Sequence, residues 1–352
     1  GNSLDLKYRT SGLEIFANYG WWRGNTRFDR LNDMNTTTSK GTYRQFVSTI
    51  GKESYNDMTG KLGFSYMIND LHSIGAYYQN SWNRHNTDGT IPSEIWQDGI
   101  LLDLYNSDVH NQSTAVPRHY ANIYYNGIVG KLNIDFNADY IWYKSRELTF
   151  NNELSEMGND REVNSSSINR NRMFAEKLVM TYPLWKGQIE IGEEYTNTRT
   201  TNLFSANIPE TPNADNRVDE NNIAVFAELG QQFGHFMIGA GLRYEHVKFN
   251  YYEMGLLRDG QSKTYNNIFP SLNIATEVGK VRMGLNYTGK TIRPGYDQLD
   301  GAISYINRLT YETGNPYLKP TKLQTVEYMA QWRRFFAQLS FTYFKDGVYH
   351  IT

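Results

Sequence analysis

Apolar and polar residues alternate along most of this chain. Between 132 and 142, Leu132, Ile134, Phe136, Ala138, Tyr140 and Trp142 are apolar, while Asn133, Asp135, Asn137 and Asp139 between them are polar. Side chains of a strand point alternately to its two faces, so this segment has one greasy face and one wet face. The pattern returns at Phe236, Ile238, Ala240, Leu242 and Tyr244, at Val281, Met283, Leu285 and Tyr287, and at Phe335, Ala337, Leu339, Phe341 and Tyr343. Helical spacing competes nowhere over a comparable length, so the chain is all-β.

The pattern predicts fourteen strands, near 2–9, 13–30, 41–67, 72–84, 114–127, 131–147 and 166–183, then 187–200, 221–233, 235–252, 265–278, 280–291, 321–333 and 335–350. Seven joints are short: Thr10-Ser11-Gly12, 68–71, 128–130, 184–186, Gly234, Gly279 and Arg333-Arg334. Long polar joints at 31–40, 85–113, 148–165, 201–220, 253–264 and 292–320 alternate with them. Tight turns at one end and long loops at the other are the layout of a transmembrane, antiparallel, up-and-down β-barrel. A sandwich would mix loop lengths at both ends, and a propeller would repeat a motif about every 40–50 residues.

Composition changes the picture in four ways. Mean hydropathy is −0.63, and no apolar run is long enough for a membrane helix, but half-polar strands average to the same value. A net charge of −2 over 352 residues argues against a nucleic-acid partner. The absence of cysteine removes disulfides, thiolate chemistry and Cys-ligated zinc. Aromatics make up 14% of the chain and cluster at Trp21 and Trp22, Tyr77 and Tyr78, Tyr140 with Trp142 and Tyr143, and Tyr251 and Tyr252. These are expected at the lipid–water interface. Glu193 shares a face with Ile189 and Ile191, which places it near the interface or on a local bulge.

Candidate chemistry is sparse. Gly284 to Thr291 matches the phosphate-binding pattern GxxxxGK[ST]. It alternates as a strand, however, and Ile292-Arg293-Pro294-Gly295 after it cannot open a helix. Asn83 to Gly89 resembles a calcium loop only faintly, with Arg84 at the first ligand position and no Glu at the twelfth. The histidines at 72, 85, 110, 119, 235, 246 and 350 lack zinc-ligand spacing. Asp135, Asp139, Glu228, Arg243, Glu245 and Arg282 read as a hydrated barrel lining. Gly99-Ile100-Leu101-Leu102 is an apolar stretch in a long loop, suited to a ligand or to self-packing. No catalytic, cofactor-binding or metal-binding residue is expected, no cofactor is implied, and the substrate-binding residues stay unassigned.

Several segments resemble the barrel of TonB-dependent outer-membrane receptors. Gly314-Asn-Pro-Tyr-Leu-Lys-Pro320, followed by Val326-Glu327-Tyr328, looks like that family's GNPxLKPE signature, with Thr321 in the last place. Tyr182-Pro-Leu184, Ala240 to Glu245, Ile268 to Leu272, Thr291 to Pro294 and Tyr296 to Leu299 follow in the family's order. The resemblance implies a barrel of twenty-two strands around a plug domain, located in the cell outer membrane. It also implies capture of a small nutrient by the outer loops, uptake driven by the TonB complex through the plug, and contact with membrane lipid and lipopolysaccharide. Pro316 and Pro320 would stiffen a loop entering a strand.

On this reading residues 1–352 form a single barrel domain with no enzymatic activity, and the plug and remaining strands lie outside it. A first and a last joint that are both short put both chain ends on the outer side, which points to further strands at each end. A passive porin or fatty-acid channel and a barrel-embedded hydrolase are the alternatives. The hydrolase requires a convergent His/Asp/Glu cluster above the barrel, and a soluble lectin-like sheet protein would need two packed sheets.

Overall fold

The computed structural model describes residues 1–296, 298–308 and 310–348. Its strands are β1 (Asn2–Thr10), β2 (Leu13–Thr38), β3 (Gly41–Asn69), β4 (His72–Gln97), β5 (Ile100–Val129) and β6 (Leu132–Ser155). They continue as β7 (Arg161–Leu184), β8 (Gly187–Ala206), β9 (Ala214–Phe233), β10 (Phe236–Glu253) and β11 (Leu256–Leu257). The last are β12 (Lys263–Val278), β13 (Val281–Ile292), β14 (Ile303–Asn307), β15 (Thr310–Thr313), β16 (Thr321–Trp332) and β17 (Phe335–Lys345).

One antiparallel sheet joins β1 to β10, β12, β13, β16 and β17, each paired with its neighbours in chain order. These are the fourteen strands that alternation predicts. The short β11 pairs only with the end of β10, and β14 with β15 forms a separate hairpin. At the lower end the turns are tight, and Gly234 (φ 58°) and Gly279 (φ 61°) supply the left-handed backbone that closing a two-residue hairpin requires. No helix among the described residues is long and apolar enough to cross a membrane, which says nothing of strands.

Register assigns the two faces. Ile123 lies opposite Ala138, Leu62 opposite Tyr78, and Leu242 opposite Ala227. All three leucine and isoleucine side chains are exposed, as suits residues whose solvent is lipid. On the other face Asp139 lies opposite Asn122, which donates to its carboxylate at 2.6 Å. Tyr120 donates to the same carboxylate at 2.6 Å, and Tyr77 donates to Tyr120 at 3.0 Å. The wet face is therefore a hydrogen-bonded lumen.

Three expectations are corrected. First, the long joints are mostly strand: β4 and β5 pair from His72↔Gly127 up to Gln97↔Ile100, across nearly all of 85–113. Alternation fades there because neither face meets lipid, while backbone pairing continues on polar cross-strand contacts. Likewise 292–320 contains β14 and β15, and the last strand ends at Lys345, with 346–348 outside it and the final expected positions, 349 and 350, beyond the described residues. Second, adjacent aromatics cannot share a face. Trp21 lies opposite Met58 on the lipid side and Trp22 opposite Asp57 on the lumen side. Tyr78 likewise faces out and Tyr77 in, and Tyr251 is buried in an interior cluster instead of an interface ring. Third, no register shift marks β8 at Glu193, which lies exposed between Leu178 and Val225 on the lipid face, so the bulge is absent.

Candidate functional site at the outer mouth

Strands of 20–30 residues such as β2 to β9 are about twice the length that crosses a membrane. Their upper halves stand beyond the bilayer and wall a vestibule, and the described residues of the segment after β13 fold into it. Two anchors hold that segment. The first is apolar: Leu299 packs with Val218, Phe249 and Tyr251, and Tyr296 and Leu318 pack around them. Burial, together with Glu220 nearby, pushes the Tyr296 phenol up to about 12, and burial raises Tyr251 to about 12 as well. Both stay neutral at any physiological pH.

The second anchor is ionic. Arg308 Nε lies 2.8 Å from a Glu153 oxygen, and its Nη1 lies 3.4 Å from Asp103. Glu153 is fully buried, and the Tyr305 hydroxyl donates to its other oxygen at 2.5 Å. Burial, then that hydrogen bond, drives the Tyr305 phenol far above its ordinary value. Asn151 adds a third donor at 3.2 Å. A buried carboxylate is tolerable only when paired and hydrogen-bonded, and here both conditions hold.

The signature Gly314 to Pro320 forms the exit from this segment. Tyr317 N–H donates to the Asn315 side chain at 2.9 Å, and Leu318 N–H to the Asn315 carbonyl at 3.1 Å. Such an asparagine turn brings the chain back to β16.

Below the lid-like segment runs a chain of alternating charges on the lumen face. Lys177 contacts Glu194 at 3.0 Å, Glu194 contacts Arg243 at 2.5 Å, and Arg243 contacts Glu245 at 3.0 Å. Arg293 continues it, 3.1 Å from Glu245 and 3.9 Å from Glu220. Burial raises the Glu220 carboxyl, with Arg293 opposing and Glu245 adding to the rise. Among the predicted lining residues, Arg243 and Glu245 enter this chain and Asp139 the tyrosine network. Asp135 lies opposite Asn126, Glu228 opposite Gly241, and Arg282 pairs with Glu277 near the lower turn.

On the far side of the vestibule His85 bridges two carboxylates, with Nδ1 2.9 Å from Glu53 and Nε2 3.0 Å from Asp57. Burial disfavours its charge, but the two hydrogen bonds outweigh burial and raise its pKa. This is a His/Asp/Glu cluster above the barrel, as a hydrolase would need. With both ring nitrogens held by carboxylates, the imidazole has no free nitrogen to act as a general base.

The remaining candidates disperse. Gly284 to Thr291 lies within β13, paired residue for residue with β16 over 281–292, so its amides are committed to the sheet. Asn83 to Gly89 is part of β4. Among the described residues no group of three or more His, Asp or Glu could hold a metal ion, and His350 lies outside them. Ile100 and Leu102 are exposed at the β4–β5 hairpin tip. Sequence reading did not single out Glu153, Arg308 or Tyr305. Their partners are about 150 residues away, and nothing local marks them.

Fourteen sequential antiparallel strands with a lipid face, a charged lumen and long outer hairpins define an outer-membrane β-barrel. Residues 129–351 match the outer membrane protein beta-barrel family, to which the chain belongs, and its place is the outer membrane. A comparison with curated proteins finds no match in sequence. Among solved structures, the alcaligin outer-membrane receptor FauA from Bordetella pertussis is similar at 10% identity and a TM-score of 0.46, over 94% of this chain and 51% of that one. The ferric preacinetobactin receptor BauA from Acinetobacter baumannii is similar at 10% identity and 0.43, over 97% and 59%. The outer-membrane protease OmpT from Escherichia coli aligns at 12% identity and 0.27, over 79% and 96%. The chain thus spans about half the length of the two receptors it matches.

Proposed function

We propose that this chain is the barrel wall of an energy-coupled outer-membrane receptor. It binds a small external nutrient in the vestibule and passes it through a lumen filled by a plug domain, which the TonB complex engages. The observation that supports the reading is the segment between β13 and β16, which is held against the lumen-facing wall at Leu299 and at Arg308. The sheet is at least fourteen strands wide, and barrels of sixteen or more need a plug or remain open channels. The resemblance of Gly314 to Pro320 to the receptor signature supports the plugged case. The reading assigns the barrel binding and passage, with no covalent chemistry.

Conductance of the purified full-length protein in planar bilayers tests it first. A plugged receptor gives little current, whereas a steady open-pore conductance would establish the passive channel instead. Uptake into cells of labelled ferric chelates, cobalamin and oligosaccharides, with and without a protonophore, then tests energy coupling. Uptake that is indifferent to the protonophore would overturn the TonB assignment.

A further inference from the structure

The lumen side of β2 and β3 carries a ladder of aromatic rings laid flat on the wall. A Cβ on Gly63 would meet the Phe16 ring, one on Gly20 the Trp22 ring, one on Gly24 the Tyr55 ring and one on Gly51 the Phe28 ring. Gly63 lies opposite Phe16, Tyr55 opposite Gly24 and Gly51 opposite Phe28, so the rings occupy the levels of residues 16, 20, 24 and 28 on β2. At about 3.3 Å of rise per residue, each step of the ladder is about 13 Å. A glycine lets a ring approach the backbone this closely, and a ring so held turns its other face to the lumen.

Both ends of the ladder already hold cations. The Lys61 ammonium lies 3.8 Å from the centre of the Tyr77 ring and 5.6 Å from that of Phe16, and the Arg30 guanidinium lies 5.4 Å from that of Phe28. Among the described residues the two middle rings, Trp22 and Tyr55, hold no cation, although carboxylates surround them. Asp57 is directly opposite Trp22, and Glu53 and Asp57 flank Tyr55 on β3. Asn83 donates to Asp57 Oδ1 at 3.0 Å, and His85 contacts the same oxygen at 3.0 Å and Glu53 Oε1 at 2.9 Å. Nothing among the described residues donates to Asp57 Oδ2 or Glu53 Oε2. Even a protonated His85 leaves two carboxylates facing one positive charge. Trp22 follows Leu13 by about the 9–11 residues that cross the hydrocarbon, so these groups stand at the floor of the vestibule.

We propose that Trp22 and Tyr55, with Asp57 and Glu53, bind an extended organic cation of the polyamine class as the nutrient of this receptor. The assignment rests on reading the lumen as an uptake path. One ammonium group lies over the Trp22 indole beside Asp57 Oδ2, and a second, about 13 Å higher, lies over Tyr55 beside Glu53 Oε2. An aromatic face attracts a cation electrostatically, most strongly in tryptophan. Charge selects the occupant: a neutral sugar would stack on the same rings but leave the excess negative charge unbalanced, and an anionic chelate would be repelled. A cleft lined by one sign of charge also concentrates ligands of the other sign.

Isothermal titration calorimetry of the full-length protein in detergent tests this, with spermine, putrescine, maltotriose and citrate as probes. Spermine is expected to bind, putrescine, too short to reach both rings, to bind more weakly, and maltotriose and citrate not to bind. Trp22→Leu and Asp57→Asn are each expected to weaken spermine binding about ten-fold, and Trp22→Phe to weaken it less. Asp29→Asn removes the same charge from the opposite face of β2 and is expected to leave the affinity unchanged. Retention of a heat-modifiable band on gels shows that each variant is folded, and if Trp22→Leu does not fold, Trp22→Phe and Asp57→Asn carry the test. Absence of spermine binding, equal binding of putrescine or maltotriose, unchanged affinity in the folded Trp22 and Asp57 variants, or an equal loss in Asp29→Asn would overturn the assignment. Binding in detergent needs neither plug movement nor energy. Its failure therefore leaves energy-coupled uptake standing, and uptake indifferent to a protonophore would overturn the coupling while leaving this site.

Discussion

Arg308 Nε lies 2.8 Å from the Glu153 carboxylate, although 155 residues separate the two in the chain. Arg308 belongs to the segment between β13 and β16, and Glu153 is near the top of β6, several strands away around the sheet. The pair therefore carries the segment after β13 back across the mouth, over the strands that lie between β13 and β6. It also makes the outer mouth a tethered structure.

Arg308→Met leaves Glu153 buried without its cation. Breaking a buried pair on one side costs about 3–5 kcal/mol, and detachment of the β14–β15 hairpin is the cheapest relief. Amide exchange across 303–313 is expected to accelerate by a factor of roughly one hundred. Arg308→Met/Glu153→Leu is expected to recover part of that protection. Unchanged exchange in Arg308→Met would show that Tyr305 and the Leu299 cluster alone hold the segment.

His85 carries a pH dependence with a definite sign. Its pKa is higher folded than unfolded, so the stabilisation from its contacts with Glu53 and Asp57 is complete below about pH 6.5. It is lost as pH rises through the raised folded value. Urea unfolding in lipid vesicles is expected to show this loss in the wild type, with His85→Gln flat across the same window.

The lumen charge chain and a peripheral ion pair are expected to differ in weight. Arg243 is three-quarters buried at the centre of the chain between Glu194 and Glu245, and Arg243→Leu is expected to cost about 1.5–3 kcal/mol of unfolding free energy. Arg44 pairs with Asp33 in water on an outer hairpin, and Arg44→Ala is expected to leave the unfolding midpoint unchanged.

The lipid face makes opposite predictions at two positions. Leu242→Arg places a cation near the bilayer midplane and is expected to cost about 2–4 kcal/mol. Glu193→Leu removes a lipid-facing carboxylate between Leu178 and Val225 and is expected to stabilise the barrel in the same assay. A destabilised Glu193→Leu would mean that this carboxylate has a partner in the membrane.

The alternating residues of 132–142, 236–244 and 281–287 determined, by themselves, the strands, their chain-order pairing and which side faces lipid. The reason is local: a period of two on a strand reads directly as two faces, and a short polar turn leaves the next strand no option but to pair antiparallel. Tertiary structure decided everything that depends on contacts without a period. The outer halves of β4 and β5 look like loops because polar residues occupy both faces, and only backbone pairing shows them to be strand. Which of Trp21 and Trp22 meets lipid required the register. The contact of Glu153 with Arg308 and the seat of Leu299 required the folded chain, because no local pattern encodes a contact between residues so far apart in sequence.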